Sequence, residues 1–164
     1  MKQTTVTIII DQQFQSQRVL LGLKKTGFGA GKYCGFGGKI EAGETAEAAA
    51  IRELNEEAFI VVTKEALKRA GELTYFFPDN PELNLKITIF VASKWAGEPQ
   101  ESTEMKPEWF DAVNIPYNQM WADSIHWLPH ILKGHSLTAT FIYNSDNTTL
   151  QSHEIQIIKK KTAT

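Results

Sequence analysis

An α+β fold, with helices packed on a largely antiparallel or mixed sheet, is what this sequence predicts, and three observations carry the reading. Short β-branched and aliphatic runs recur along the chain with turn residues between them, as the strands of a sheet do. Two helical segments, 45–58 and 123–132, stand apart among those runs. No internal repeat, low-complexity block or Pro/Ser-rich linker interrupts the 164 residues, so a single domain spanning 1–164 is expected.

The first two strands are Thr4–Ile10 and Arg18–Leu23, joined by a polar turn. Gly27–Gly38 is too rich in glycine to be the interior of an element and reads as an irregular loop entering a short strand. Thr45 is placed to cap a helix that runs to about Ala58 through Ala, Leu, Glu and Arg. Gly71–Phe77 and Leu85–Trp95 flank the turn-forming stretch Pro78–Pro81 and predict a hairpin. Pro107–Asp111 reads as a short edge strand, since proline can begin one. Asp123–Leu132 is the second helix, stopped near Gly134. Leu137–Tyr143 and Thr149–Ile158 flank Asn144–Asn147 and form a closing hairpin.

Composition excludes several classes of function. An apolar share of 42% and a charged share of 22% suit an ordinary globular core. A net charge of −2 gives no general attraction to nucleic acid or anionic membrane, so neither is an expected partner. Lys159–Lys161 reads as a solvated end rather than a binding arm. A lone cysteine, Cys34, cannot close an internal disulfide, and the run Val6–Ile10 is too short for a signal core or a membrane span. A cytoplasmic monomer is the expectation.

The informative stretch is Gly38 to Glu57. At 3.6 residues per turn, Glu53, Glu56 and Glu57 stand at i, i+3 and i+4 on one helix face. Ala48, Ile51, Leu54 and Ala58 fall on the opposite face, ready to pack on a sheet. Three carboxylates on one face repel, and only Arg52 can reach Glu56 across one turn. A solvated acidic face is the plain alternative. Hard oxygen ligands for Mg²⁺, and therefore phosphate chemistry, explain the crowding better. Spacing alone leaves the two level.

Gly38, five residues, Glu44, seven residues, then Arg52-Glu53-Leu54-Asn55-Glu56-Glu57 resembles the Nudix box. The box closes on a glycine where this chain has Phe59, so the helix exit is expected to be built otherwise, with Phe59 turned into the core. Similarity extends through Arg18–Gly22, Gly27–Gly31, Gly35–Lys39, Glu104-Met105, Trp109-Phe110 and Met120-Trp121, and covers about Val6 to Thr149. It points to the MutT-type Nudix hydrolases that act on oxidised purine nucleoside triphosphates such as 8-oxo-dGTP.

That resemblance implies the Nudix fold, a mixed sheet packed between helices as an α/β/α sandwich. It implies hydrolysis to a nucleoside monophosphate and pyrophosphate, in sanitation of the nucleotide pool. Mg²⁺, or Mn²⁺, would be held by Glu53, Glu56 and Glu57 with the Gly37 carbonyl and Glu104, and Arg52 would orient the acids. The general base is left open among Glu56, Glu57 and Glu104. A nucleotide pocket is implied at Thr7, Lys24, Phe28, Cys34, Tyr75, Trp121, Asp123 and Ser124. Two positions depart from the relative: Cys34 replaces an asparagine, and Ser124 replaces the second of two aspartates, both readers of the base. A Nudix enzyme of other nucleotide specificity and a non-catalytic Nudix sensor are the alternatives; the intact acids argue against the sensor.

Other motifs carry less. Thr26 and Tyr33 break the P-loop pattern around Gly31-Lys32, and Lys32 breaks the dinucleotide glycine pattern. Pro129 lies between His126 and His130, and no catalytic glutamate follows His126, so a zinc pair is disfavoured. Cys34 has no histidine near it in sequence and reads as a poor nucleophile. Trp121 beside Asp123 and Ser124 reads as a base-stacking platform next to a polar edge, with core packing as the commoner fate of such aromatics.

Overall fold

The β-branched runs become strands because each has a sheet neighbour and an apolar layer to face. The structure, a computed structural model, describes residues 1–12 and 15–158. Its strands are β1 (Lys2–Asp11), β2 (Arg18–Lys24), β3 (Tyr33–Cys34), β4 (Lys68–Phe76), β5 (Leu85–Ala92), β6 (Met105–Asp111), β7 (Ser136–Tyr143) and β8 (Leu150–Ile158). The helices are α1 (Ala46–Ala58) and α2 (Ser124–Leu132). Among the described residues the strands form one mixed sheet in the order β3-β2-β1-β5-β4-β7-β8, with β6 paired to β2. The pairs β1·β5 and β4·β7 are parallel, and the others are antiparallel.

Central β1 is buried from Thr5 to Asp11, with a core on each side. Val6, Ile8 and Ile10 join Trp127, Leu128 and Ile131 of α2 in one cluster. Ile9 joins Ala50, Leu54 and Ala58 of α1 in the other. The predicted α/β/α layering is therefore present. The predicted Pro107–Asp111 strand begins two residues earlier and lies on an edge, and the Pro78–Pro81 link includes a 3-10 turn at Pro81–Leu83. The 3-10 turn makes that connection longer than a tight hairpin turn. No helix among the described residues is long and apolar enough to cross a membrane. Lys159–Lys161 lies outside the described residues.

One splay in the sheet positions the site. Strand β2 pairs with β1 only through Arg18–Leu20, and then takes β3 as its partner. Segment 35–40 fills the opening: Thr7 N–H donates to the Phe36 carbonyl at 2.6 Å, Thr5 N–H to Gly38 at 2.9 Å, and Ile40 N–H to Gln3 at 2.9 Å. The approach is too close for a side chain. A Cβ at Gly37 would stand 1.8 Å from the Thr5 carbonyl oxygen.

Helix α1 begins as predicted, with Thr45 Oγ1 accepting the Ala48 N–H at 3.1 Å. Its buried stripe differs from the predicted one. Ala49, Ala50, Leu54 and Ala58 are buried, Ile51 is half-buried and Ala48 is exposed. Glu57 is drawn in as well, because it meets the glycine segment, so the acidic and apolar faces overlap at that residue. The exit also corrects the prediction. Phe59 takes the left-handed conformation, φ 59 and ψ 30, and its N–H donates to the Asn55 carbonyl at 3.1 Å. Its side chain is 47% exposed rather than in the core.

A phenylalanine held at positive φ is strained by roughly 1–2 kcal/mol. Phe59→Gly is therefore expected to raise the melting temperature by about 2–4 °C, since about 1 kcal/mol shifts a domain of this size by that much. An unchanged or lower melting temperature would mean that the half-buried ring offsets the backbone strain.

Candidate active site

The acids of α1 are held by one arginine. Arg52 donates to both carboxylate oxygens of Glu44, at 2.8 and 2.9 Å, to Glu53 at 3.0 Å and to Glu56 at 3.4 Å. It also reaches the Lys39 carbonyl at 3.0 Å, tying the helix to the loop before it. Glu44 accepts from the Glu41 N–H too, and these bonds, Arg52 first, pull its carboxyl down to about 2. This is the orienting position that the sequence suggests for Arg52.

Glu57 has a different environment. It is 6% exposed and accepts the Gly37 N–H at 2.8 Å. Burial pushes its carboxyl up to about 8 against that hydrogen bond, with Glu53 and Glu104 pushing the same way and Lys24 opposing them. Burial also raises Glu53, against the pull of Arg52. Gly38 makes room for that carboxylate, since a Cβ there would lie 2.5 Å from Glu53 Oε1. Glu104 stands just before β6, where Ser102 Oγ accepts its N–H at 3.3 Å. Glu56 is turned to solvent.

The acids therefore gather without closing. Among the described residues no three His, Cys, Asp or Glu side chains form a ready-made metal cage. Like charges spread the group, and Arg52 holds two of its members. The donor set still fits a hard divalent cation: carboxylate oxygens, one of them pushed up by burial and then by the neighbouring acids Glu53 and Glu104, a cost that a bound cation would offset. Gly37 offers its carbonyl oxygen beside the N–H bonded to Glu57.

Beside the acids lies a cavity of about 250 Å³ on the α2 side of the sheet. Its lining unites Lys24, Phe28, Cys34, Gly37, Tyr75, Trp121, Asp123 and Ser124 from separate stretches of chain. The Phe28 ring leans on Trp121 at 5.0 Å, and Lys32 Nζ lies 5.1 Å from the Trp121 ring centre. The tryptophan is thus braced at the rim rather than sunk in the core. The Cys34 thiol is pushed up to about 12 by the packing around it and by Glu57, so it stays neutral and inert. Thr7 is not in the lining. Alternation along β1 places Val6 and Ile8 toward the cavity and Thr7 on the opposite, α1 side, where it is fully buried.

A family pattern described as NUDIX domain matches residues 1–131. The chain belongs to the Nudix family. It is 51% identical over 119 residues to a protein of Danio rerio named oxidized purine nucleoside triphosphate hydrolase, covering 73% of this chain and 74% of that one. It is 43% identical over 136 residues to a Mus musculus protein of the same name, covering 83% and 85%. A solved MutT protein from Bacillus halodurans superposes with a TM-score of 0.78 at 26% identity, covering 94% of this chain and 97% of that one. Nudix hydrolases generally use divalent metal ions.

Several residues that shape the Nudix cavity escape a reading of the sequence. Tyr143 and Trp127 both line it, as do Phe77 and Met120. Tyr143 had a signal: it is the last inward residue of the alternation Leu137, Ala139, Phe141, and a buried phenol must find a partner. Tyr143 Oη donates to Asp123, whose side chain accordingly caps nothing at the start of α2. His126 stacks on His153 at 4.1 Å and His130 on His135 at 6.2 Å.

The raised Glu57 carboxyl has a thermodynamic consequence. Without a cation it takes up its proton near pH 8 in the folded chain, and at about 4.3 in the unfolded one. The folded state then binds more protons between those values, so stability falls as pH rises through that window. Glu44 acts oppositely and lower, losing its stabilisation as pH falls from about 4.3 toward 2. The cation-free protein should lose several degrees of melting temperature between about pH 5 and pH 8, and Glu57→Gln should remove most of that loss. A wild-type profile flat over this range would contradict the buried-acid account.

Proposed function

We propose that the chain hydrolyses oxidised purine nucleoside triphosphates, 8-oxo-dGTP among them, to the nucleoside monophosphate and pyrophosphate. The observation that carries this is the adjacency of two chemically opposite regions. A mostly apolar cavity with a braced tryptophan suits a flat base, and it opens beside a repelling group of acids that suits a cation and phosphates. Names of the fish and mouse relatives support the same substrate class.

In this reading Glu53, Glu56 and Glu57 hold Mg²⁺, with Glu104 and the Gly37 carbonyl beside them. A bound divalent cation supplies Lewis acidity to the phosphate oxygens. Arg52 keeps Glu53 and Glu56 oriented, and its hold on Glu44 fixes the loop that carries Gly38. Lys24 reaches both regions, since its charge acts on Glu57 and its side chain lines the cavity, so it is placed to meet a phosphate. Trp121 and Phe28 stack on the base. Asp123, Ser124 and Cys34 present polar atoms to its edge. Water that attacks phosphorus loses its proton to one of Glu56, Glu57 or Glu104.

The direct test is product release from a nucleotide panel with Mg²⁺, scored for pyrophosphate against inorganic phosphate. Pyrophosphate from 8-oxo-dGTP is expected, and inorganic phosphate alone would reject the reaction. Glu56→Gln and Glu57→Gln should each nearly abolish turnover while melting no lower than wild type, the first because removing a charge relieves repulsion and the second because a glutamine oxygen can still accept the Gly37 N–H. Full activity of both at low Mg²⁺ would end the metal assignment. Trp121→Ala should lower kcat/KM about ten- to a hundredfold, the range that stacking on a base contributes in single-strand binders. A large loss of melting temperature with near-normal kinetics would instead make Trp121 a packing residue.

A further inference from the structure

Asp123 is 3% exposed at the wall of the cavity, and three donors from three elements converge on its carboxylate. Tyr75 Oη on β4 donates to Oδ2 at 2.6 Å, and Trp127 Nε1 on α2 donates to the same oxygen at 2.8 Å. Tyr143 Oη on β7 donates to Oδ1. The directions are fixed by chemistry. An indole N–H only donates, and Tyr143 Oη already accepts the Asp123 backbone N–H at 3.3 Å. Both phenols are buried and raised above the ordinary tyrosine range, by burial first and the Asp123 charge second, which keeps them as donors.

A carboxylate offers roughly four acceptor positions, and the three donors here fill all but about one. Hydrogen bonds donated to a carboxylate favour its charged form over the neutral acid, and the one position left is the one that a hydrogen of the ligand can take. Ser124, next along the wall, carries no such restraint: its hydroxyl can donate or accept, so it suits either an oxygen or an amine on the base.

We propose that Tyr75 and Tyr143 set base selectivity by holding Asp123 as a permanent acceptor, so that the cavity takes purines with a hydrogen on N1 and refuses those with a lone pair there. The inference rests on the cavity being the purine site of the proposed reaction. Guanine and 8-oxoguanine carry that hydrogen; O6-methylguanine and adenine present a lone pair, which would face the carboxylate without a proton between them. A site that hydrogen-bonds its ligand rejects an analogue lacking the matching group far more strongly than one that only fits its shape. Tyr75 and Tyr143 act through Asp123, as positioning residues.

The experiment compares kcat and KM for 8-oxo-dGTP and O6-methyl-dGTP in the wild type, in each single Tyr→Phe variant and in Tyr75→Phe/Tyr143→Phe, with melting temperatures on the same preparations. The wild type should favour 8-oxo-dGTP by at least a hundredfold in kcat/KM. The double variant removes two of the three donors that commit Asp123 to accepting, and should shrink that ratio at least tenfold, mainly through a lower KM for O6-methyl-dGTP. A purely structural role would weaken both substrates together and leave the ratio unchanged. Tyr143→Phe alone should move the ratio in the same direction, which keeps the test open if the double variant melts early. Comparable wild-type turnover of the two substrates would overturn the inference and leave the proposed reaction standing. No turnover of either would instead count against the reaction itself.

Discussion

One hydrogen bond, from Gly37 N–H to a Glu57 oxygen at 2.8 Å, joins the two halves of this molecule on which everything else rests. On one side of it is the segment that wedges between β1 and β2, bonded to β1 at Thr5 and Thr7. On the other is α1, whose apolar stripe is seated on the sheet by Ala50, Leu54 and Ala58. A buried carboxylate needs a partner or a proton. Here the partner is a backbone amide that exists only because the strands splay and glycine lets the chain pass. The acid is thus positioned by the sheet rather than by its own helix.

The same wedge divides the chemistry. Gly37 and Gly38 belong to the cavity wall and also face the acids, so the nucleoside side and the phosphate side share two residues of backbone. The two sides have opposite electrostatic character. The acidic side gathers several carboxylates, two of them, Glu57 and Glu53, raised by burial first and by neighbouring acids after it, whereas the cavity buries its one carboxylate under three donors. A ligand with an uncharged flat end and a phosphorylated end that carries a cation complements this division.

The sheet, both helices and the acidic triad were legible because each rests on a local rule. Strand runs, the Thr45 cap and the spacing of Glu53, Glu56 and Glu57 are all periodic or adjacent features. What was not legible depends on contacts between distant segments. The pull of Gly37 on Glu57 crosses 20 residues, and it moved the buried stripe of α1 off the face that periodicity suggests. The resemblance implies Thr7 in the pocket, yet strand alternation turns it to the opposite face. Adjacency to Trp121 marks Asp123 as a polar edge for the base, but nothing local shows that Tyr75, 48 residues earlier, and Tyr143, 20 later, both donate to it.

Phe59 shows what kind of information a sequence signature holds. The helix ends in the left-handed turn that glycine normally provides, with Phe59 N–H and Ile60 N–H closing on Asn55 and Leu54. The closing glycine of the Nudix signature is therefore a torsion angle written in residue code, rather than a chemical group the reaction consumes. Any side chain that the surroundings can force into that angle satisfies it. Relatives that lack the glycine are better sought by asking whether the last turn can reverse there than by requiring the letter itself.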